Sequence, residues 1–435
     1  MSDLCIPRGQ TVTLDTVDGD LKVGNNATIQ PSNGKKVTVT KGVYLEGKAY
    51  VNGDLECDSV ESEIFFSKGD EISSGSNRAR LELTGRYAGK LEVNGNLTVH
   101  KQLNVSHSVQ VKGLIDASEI DVGGKIHAND IKCRRIRVGG RADIQNSFEA
   151  QTVDVGGKVV ASGKVKIGDL HVGGEIDVGG GTITGNIRIG GKFSSKTPLE
   201  FGELLVYGKG SLPAGCKGRK ISTFGKLEVE GALTCDYMEI GGVIEIDGDC
   251  HSDHVEVGGK LEVGGSLFVS DKLEGYGSTE IGGTLESTHL RLSGKLKANK
   301  VIVKEEADIS GKLETEKGLK AKLVTIRSGS RCEGILIGEH VEVGKTSDLS
   351  YGGWGMNWAM KWAAAGGMSR VDDVYAKSLL VGPMCRIGRI FAETIKLEQG
   401  SAAEQVTYTG ELKIDFGAAV SEPPKKVETL PQPPF

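Results

Sequence analysis

Residues 174–191 read GEIDVGGGTITGNIRIGG, and residues 258–269 read GGKLEVGGSLFV. In both, apolar residues alternate with polar ones over very short runs: Ile176 and Val178, Ile187 and Ile189, Leu261 and Val263, Leu267 and Val269. Alternation at period two marks a strand with one buried face. The runs close on Gly, Asn, Asp or Ser, and a Gly pair at the bend is expected to supply positive φ without steric cost.

The same words recur on a clock. A Val or Ile followed by Gly-Gly occurs at Val122, Val138, Val155, Val172 and Ile189, and again at Ile240 and Val257, with steps of 16 or 17 residues inside each group. Ile309, Ile326 and Val343 keep the 17-residue step. GKLEV begins at Gly89, Gly225 and Gly259, with GKLK at Gly294 and GKLE at Gly311. Three short strands and three bends fit in such a period. The expected fold is therefore all-β: a single-stranded parallel β-helix, a triangular solenoid whose coils stack about 4.8 Å apart. Roughly twenty coils would make a rod on the order of 100 Å.

Composition agrees. Of 435 residues 64 are Gly and only 10 are Pro, with no collagen-like period. Aromatics are 5%, too few for a wide sandwich core but enough for a narrow prism of Val, Ile, Leu and Ala. Hairpin meanders would need Asn-Gly or Asp-Gly turns between longer strands. Propellers would need periods near 40–50. A formal charge of −5 argues against nucleic acid or anionic membrane held by charge. The opening MSDLCIPRG lacks the apolar stretch of a secretory signal, and the eight Cys are scattered singly. Both features point to a cytoplasmic protein.

The chain reads as a short N-terminal segment (1–8), a β-helix (9–345) interrupted near 61–80, an insert (346–370), further coils (371–417) and a Pro-rich disordered tail (418–435). Segment 192–224, with Pro198, Pro213 and the basic residues Lys209, Lys217, Arg219 and Lys220, keeps the clock and reads as a decorated corner. The tail, SEPPKKVETLPQPPF from Ser421, is expected to be extended and mobile.

Short apolar runs, Gly-Gly bends, a 17-residue coil and a Pro-rich end resemble the bactofilins, a family of polymer-forming cytoskeletal proteins. GGKLEVGGSLFV (258–269) and GEIDVGGGTITGNIRIGG (174–191) carry the likeness, although this chain has about three times the family's usual number of coils. The resemblance implies a right-handed helix and end-to-end filaments formed without nucleotide. It also implies a position along a membrane or cell-wall machinery, that is, a cytoplasmic protein associated with a membrane.

The end coils of a solenoid expose unpaired backbone groups and an apolar cross-section. No capping helix is evident. The candidate polymerisation interface is Val12, Leu14, Leu21 and Val23 at one tip and Phe391, Leu397, Leu412, Ile414 and Phe416 at the other. The expected partner is thus the chain itself. A membrane surface or cell-envelope protein would be recruited by the tail or the insert, and no nucleic acid is expected. In the insert, Trp354, Trp358 and Trp362 recur every four residues, with Met356 and Met360 on the opposite side of a short helix. Such a helix packs on the solenoid, meets another filament or touches a membrane interface.

Other motifs carry less. DGDCHSDH (247–254) offers Cys250, His251, Asp253 and His254 as metal ligands, but also reads as a polar corner, so neither metal nor cofactor is expected. GEHVEVGKT (338–346) places five residues between its glycines where a phosphate loop needs four. Lys132, Arg134, Arg135, Arg137 and Arg141 should find Asp and Glu on neighbouring coils. No catalytic motif is recognised, so the reading is a non-enzymatic scaffold. The competing reading is a β-helical carbohydrate-active enzyme or glycan-binding protein.

Overall fold

A computed structural model describes residues 3–62, 90–105, 107–345 and 367–435. Among these residues there is no helix. Parallel strands stack as a β-solenoid of about 22 turns, about 17 residues apart. The chain divides into two compact units, residues 1–212 and 213–435, and the division falls inside segment 192–224, where the sequence suggested only a decorated corner. No helix among the described residues is long and apolar enough to cross a membrane.

In the first unit, residues 135–138, 141–144 and 148–150 form one coil. They lie in parallel register on 119–122, 125–128 and 131–133 of the coil before. Alternation decides which side chains go in. Ile120, Ile136, Val153, Leu170, Ile187 and Leu204 stack in one interior column, all buried. The second unit builds the same column from Met238, Val255, Leu273, Leu290, Ala307 and Val324. Burying a Val, Leu or Ile stabilises by roughly 1.5–3 kcal/mol, so each rung adds to its neighbours.

Gly180, in the pair after Val178, takes the expected positive φ of 111°, but the pairs after Val138 and Val155 act differently. Neither Gly139 and Gly140 nor Gly156 and Gly157 adopt positive φ. What matters is close approach. A Cβ on Gly157 would collide with the carbonyl oxygen of Gly140, and one on Gly174 with that of Gly157. The same Gly140 oxygen accepts the Lys158 N–H at 2.8 Å, so the rungs cannot separate to make room. The first Gly of these pairs has room: a Cβ on Gly156 would meet nothing nearer than 3.8 Å, whereas first glycines of other pairs, such as Gly179 and Gly282, are as crowded as the second.

Lys90 stacks directly on Lys48, and Arg370 on Arg331, so the solenoid resumes in register beyond residues 63–89 and 346–366. The tryptophans Trp354, Trp358 and Trp362, with Met356 and Met360, lie outside the described residues. Ser369 and Arg370, assigned from sequence to the insert, already belong to the strand Ser369–Val381.

The Pro-rich tail also departs from expectation. Lys425–Lys426 pairs in parallel with Thr407–Tyr408, and Val427 N–H donates to the Tyr408 carbonyl at 2.9 Å. The chain then doubles back. Val427, Leu430, Pro433 and Phe435 are half-buried and the residues between them exposed. The three-residue spacing of the first three is the period of a polyproline II helix. Phe435 ends against Gly318, with Lys300 Nζ 4.9 Å from its ring centre. From Tyr408 to the Gly318 coil is four coil steps, roughly 19 Å, and eight residues of polyproline helix extend about 25 Å. That length suffices for a diagonal strap. Pro prevents ladder pairing, but here it stiffens a segment that binds through side chains instead.

Candidate functional site

Two kinds of site emerge, the solenoid tips and a groove on one corner. At the N-terminal tip, Leu4–Ile6, Thr11–Thr13 and Thr16–Val17 form the first described coil. Each pairs on one side only, with Leu21–Val23, Ala27–Gln30 and Lys36–Val39 respectively. Val12 and Leu14 are half-buried in that coil. Leu21 and Val23 belong to the second coil and are fully buried, so they are core rather than tip.

At the other tip, Leu412–Ile414, Ala419–Val420 and Lys425–Lys426 are the terminal strands, again paired on one side only. Leu412 is half-buried, Ile414 is 42% exposed and Phe416 95% exposed. Leu397 is fully buried beneath Ile414. Phe391 is not at the tip. It points outward on the flank, stacked on Tyr375 with ring centres 4.6 Å apart. Ile390 beside it takes the inward position, and two adjacent apolar residues had left the parity of that strand undecided. The terminal face is partly blunted. Pro423, Pro424, Lys425 and Lys426 occupy one of its three sides, and Pro and Lys discourage edge pairing.

The groove lies in the second unit, at the corner before each strand that ends in the Gly pair. Its volume is about 280 Å³. One wall is an outward ladder in register: Thr234, His251, Phe268 and Glu286. The floor is the adjoining column Cys235, Ser252, Val269 and Ser287. Asp236, Asp253 and Ser270 form the opposite wall, and Lys304 closes one end.

Within it, His251 stacks on Phe268 at 4.7 Å. Asp253 accepts the Ser270 hydroxyl at 2.5 Å. The Ser252 hydroxyl serves the carbonyls of Asp236 and His254 across the bend, and the Cys235 thiol reaches the Tyr237 carbonyl. Ser287 holds the equivalent place two coils later and makes no such bond. It is 1% exposed, and its hydroxyl has no partner among the described residues. The preceding coil carries an extra residue at this corner, where the ladder slips between Val269 and Lys272.

Of the four candidate metal ligands only His251 and Asp253 line the groove, and the four do not converge. Cys250 points into the core with its sulfur 3.7 Å from that of Met238. Burial pushes its thiol up to about 12, far from the thiolate a metal would need. His251 faces Phe268, and His254 stacks on Tyr237 at 5.1 Å. Asp253 is bound to Ser270. Among the described residues no group of three or more His, Cys, Asp or Glu is placed to hold a metal. The groove's other members, Phe268, Glu286, Ser287 and Lys304, are not singled out by sequence as a site; only the coil register aligns them with residues 234–253.

In the basic cluster of the first unit, Arg134, Arg135 and Arg137 pair with acidic residues of neighbouring coils as the sequence suggested, whereas Arg141 pairs within its own strand. Arg134 bonds Glu119, Arg135 reaches Asp154 at 3.0 Å, and Arg141 reaches Asp143 at 2.8 Å. Residues 338–345 of the near-phosphate-loop motif lie within the strand Arg331–Lys345.

Set against protein-family models, curated proteins and solved structures, the chain matches none.

Proposed function

We propose that this chain is a non-enzymatic, nucleotide-independent scaffold that assembles end to end through its terminal coils and recruits partners. The observation that carries the reading is the C-terminal coil. Its strands pair on one side only, Ile414 and Phe416 stand exposed on it, and the chain turns away at Val427 instead of folding over it. An unpaired parallel edge beside exposed apolar side chains is a template for another strand. The first coil of a second copy, with strands Leu4–Ile6, Thr11–Thr13 and Thr16–Val17, offers three complementary edges. Lys425, Lys426 and the preceding prolines keep one side from zipping, so the junction is reversible.

All eight cysteines are unpaired, which supports a reducing compartment such as the cytoplasm. The bactofilin likeness of the repeat supports the same scaffold role.

Electron microscopy and sedimentation of the purified protein without nucleotide test the proposal. The parent should form filaments, and Phe416→Asp together with Ile414→Asp should leave single particles with unchanged β circular dichroism. Phe391→Asp, on the flank, should still polymerise. Parent protein that stays monomeric at all concentrations, or tip variants that polymerise as well as the parent, would refute the reading.

A further inference from the structure

The groove at residues 234–304 gathers several uncommitted polar side chains in one place. Along the solenoid, outward Lys and Glu side chains are commonly paired: Lys158 with Glu175, Lys226 with Glu245, Lys297 with Glu280. In the groove the side chains of Asp236, Glu286 and Lys304 make no ion pair or hydrogen bond among the described residues, although all three line it. Beneath them the Ser287 hydroxyl is buried and unpartnered, as are those of Thr223 and Thr279 elsewhere in the unit. A buried polar group without a partner calls for an explanation, and a ligand is one.

The chemistry narrows the ligand. Asp236, Asp253 and Glu286 against Lys304 make the groove net negative, which disfavours a phosphate or sulfate chain. A hydrocarbon would strand the carboxylates. Carboxylates need donors, Lys304 needs an acceptor, and Ser287 can use either. A polyhydroxylated chain offers donors and acceptors at every unit, and the His251–Phe268 pair gives it an apolar wall. The groove is open and runs across successive rungs, so it suits a linear ligand rather than an enclosed small molecule.

We infer that this groove binds a linear, uncharged oligosaccharide, with Phe268 and His251 as the apolar wall, Asp236 and Glu286 accepting sugar hydroxyls, and Ser287 and Lys304 completing the floor and end. The site is on the flank, away from the terminal strands, and does not depend on assembly.

The test uses the full-length chain carrying Phe416→Asp, so that loss of filaments and loss of binding are read separately. Saturation-transfer NMR is recorded with millimolar cellohexaose and, separately, chitohexaose. At least one should receive saturation. Phe268→Ala combined with Glu286→Gln, both outward residues, should weaken it at least about tenfold, the loss expected for about 1.4 kcal/mol, with the circular dichroism spectrum unchanged. Ser287→Ala should melt higher than its parent yet bind less. No saturation of either sugar, binding by the double variant equal to the parent's, or unweakened binding by Ser287→Ala would overturn the assignment.

Discussion

The same corner of the coil carries a groove in each unit, and the two are built to different ends. In the first unit the outward ladder is Asp116, Lys132, Glu149 and Lys166, alternating in charge, and Lys166 meets Glu149 at 3.1 Å. Its floor is Ala117, Cys133, Ala150 and Ile167, with no hydroxyl to satisfy. In the second unit the ladder is Thr234, His251, Phe268 and Glu286, and the floor carries Ser252 and the orphan Ser287. The backbone is the same in kind. A charge ladder neutralises itself from rung to rung, whereas a ladder of rings and isolated carboxylates leaves its polar ends for something else. Reactivity on this fold is thus set by outward residues that the coil itself does not need.

If the backbones are equivalent, the largest effects should be equal in both units. Gly157→Ala and Gly259→Ala each force a Cβ onto the carbonyl of the coil below and should destabilise by about 1–3 kcal/mol. Gly156→Ala and Gly258→Ala, with room for a methyl group, should stay within about 0.5 kcal/mol of the parent. Chemical denaturation of the four variants checks this, and unequal responses of the two units would break the equivalence.

A second, smaller effect should separate the units. Removing residues 427–435 uncovers the surface under Val427, Leu430, Pro433 and Phe435, a loss of about 1–2 kcal/mol for partly buried side chains. Amide exchange should quicken in strands Lys312–Arg327 through Ala402–Tyr408 and stay unchanged in residues 3–212. Smaller again, Ser287→Ala should raise stability by about 1 kcal/mol by removing an unmet hydroxyl.

The least effect is on acid stability, and it should be common to both units. Hydrogen bonds from Lys90 and Lys158 hold the Glu92 and Glu175 carboxyls below their ordinary value of 4.5, and Lys297 and Lys312 do the same for Glu280 and Glu314. A depressed folded value means this contribution is fully present above about pH 4.5 and fades as pH falls through the lower folded values. The pairs are exposed, so the decline should be shallow. Melting curves between pH 7 and 3 should be flat at first and fall only at the acid end; a loss beginning near neutrality would contradict the assignment.

Most of the coil was legible because its signal is local. Leu261 and Val263 announce their inward faces by alternation alone, and both are buried. The second Gly of each pair was also legible, even where Tyr207, Phe224, Tyr276, Ser293 or Ser310 replaces the first. Its reason was not, since a carbonyl one coil below is 17 residues away and positive φ is the usual local explanation for Gly. The groove was half legible. His251 and Asp253 stood out as polar residues, but their neighbours Phe268, Glu286 and Lys304 become neighbours only through register, including the slip at Asp271. The tail's spacing of Val427, Leu430 and Pro433 was in the sequence too. It was overshadowed by proline content, which says that a segment avoids ladders but not that it is loose.

The strap has a further consequence for how the molecule comes apart. An ordinary solenoid frays from its end, each rung held only by the next. Here Phe435 is clasped to a rung laid down more than a hundred residues earlier, so the final rungs are buckled together. Peeling must begin by undoing the buckle, and the end of the molecule should release several rungs at once rather than one by one.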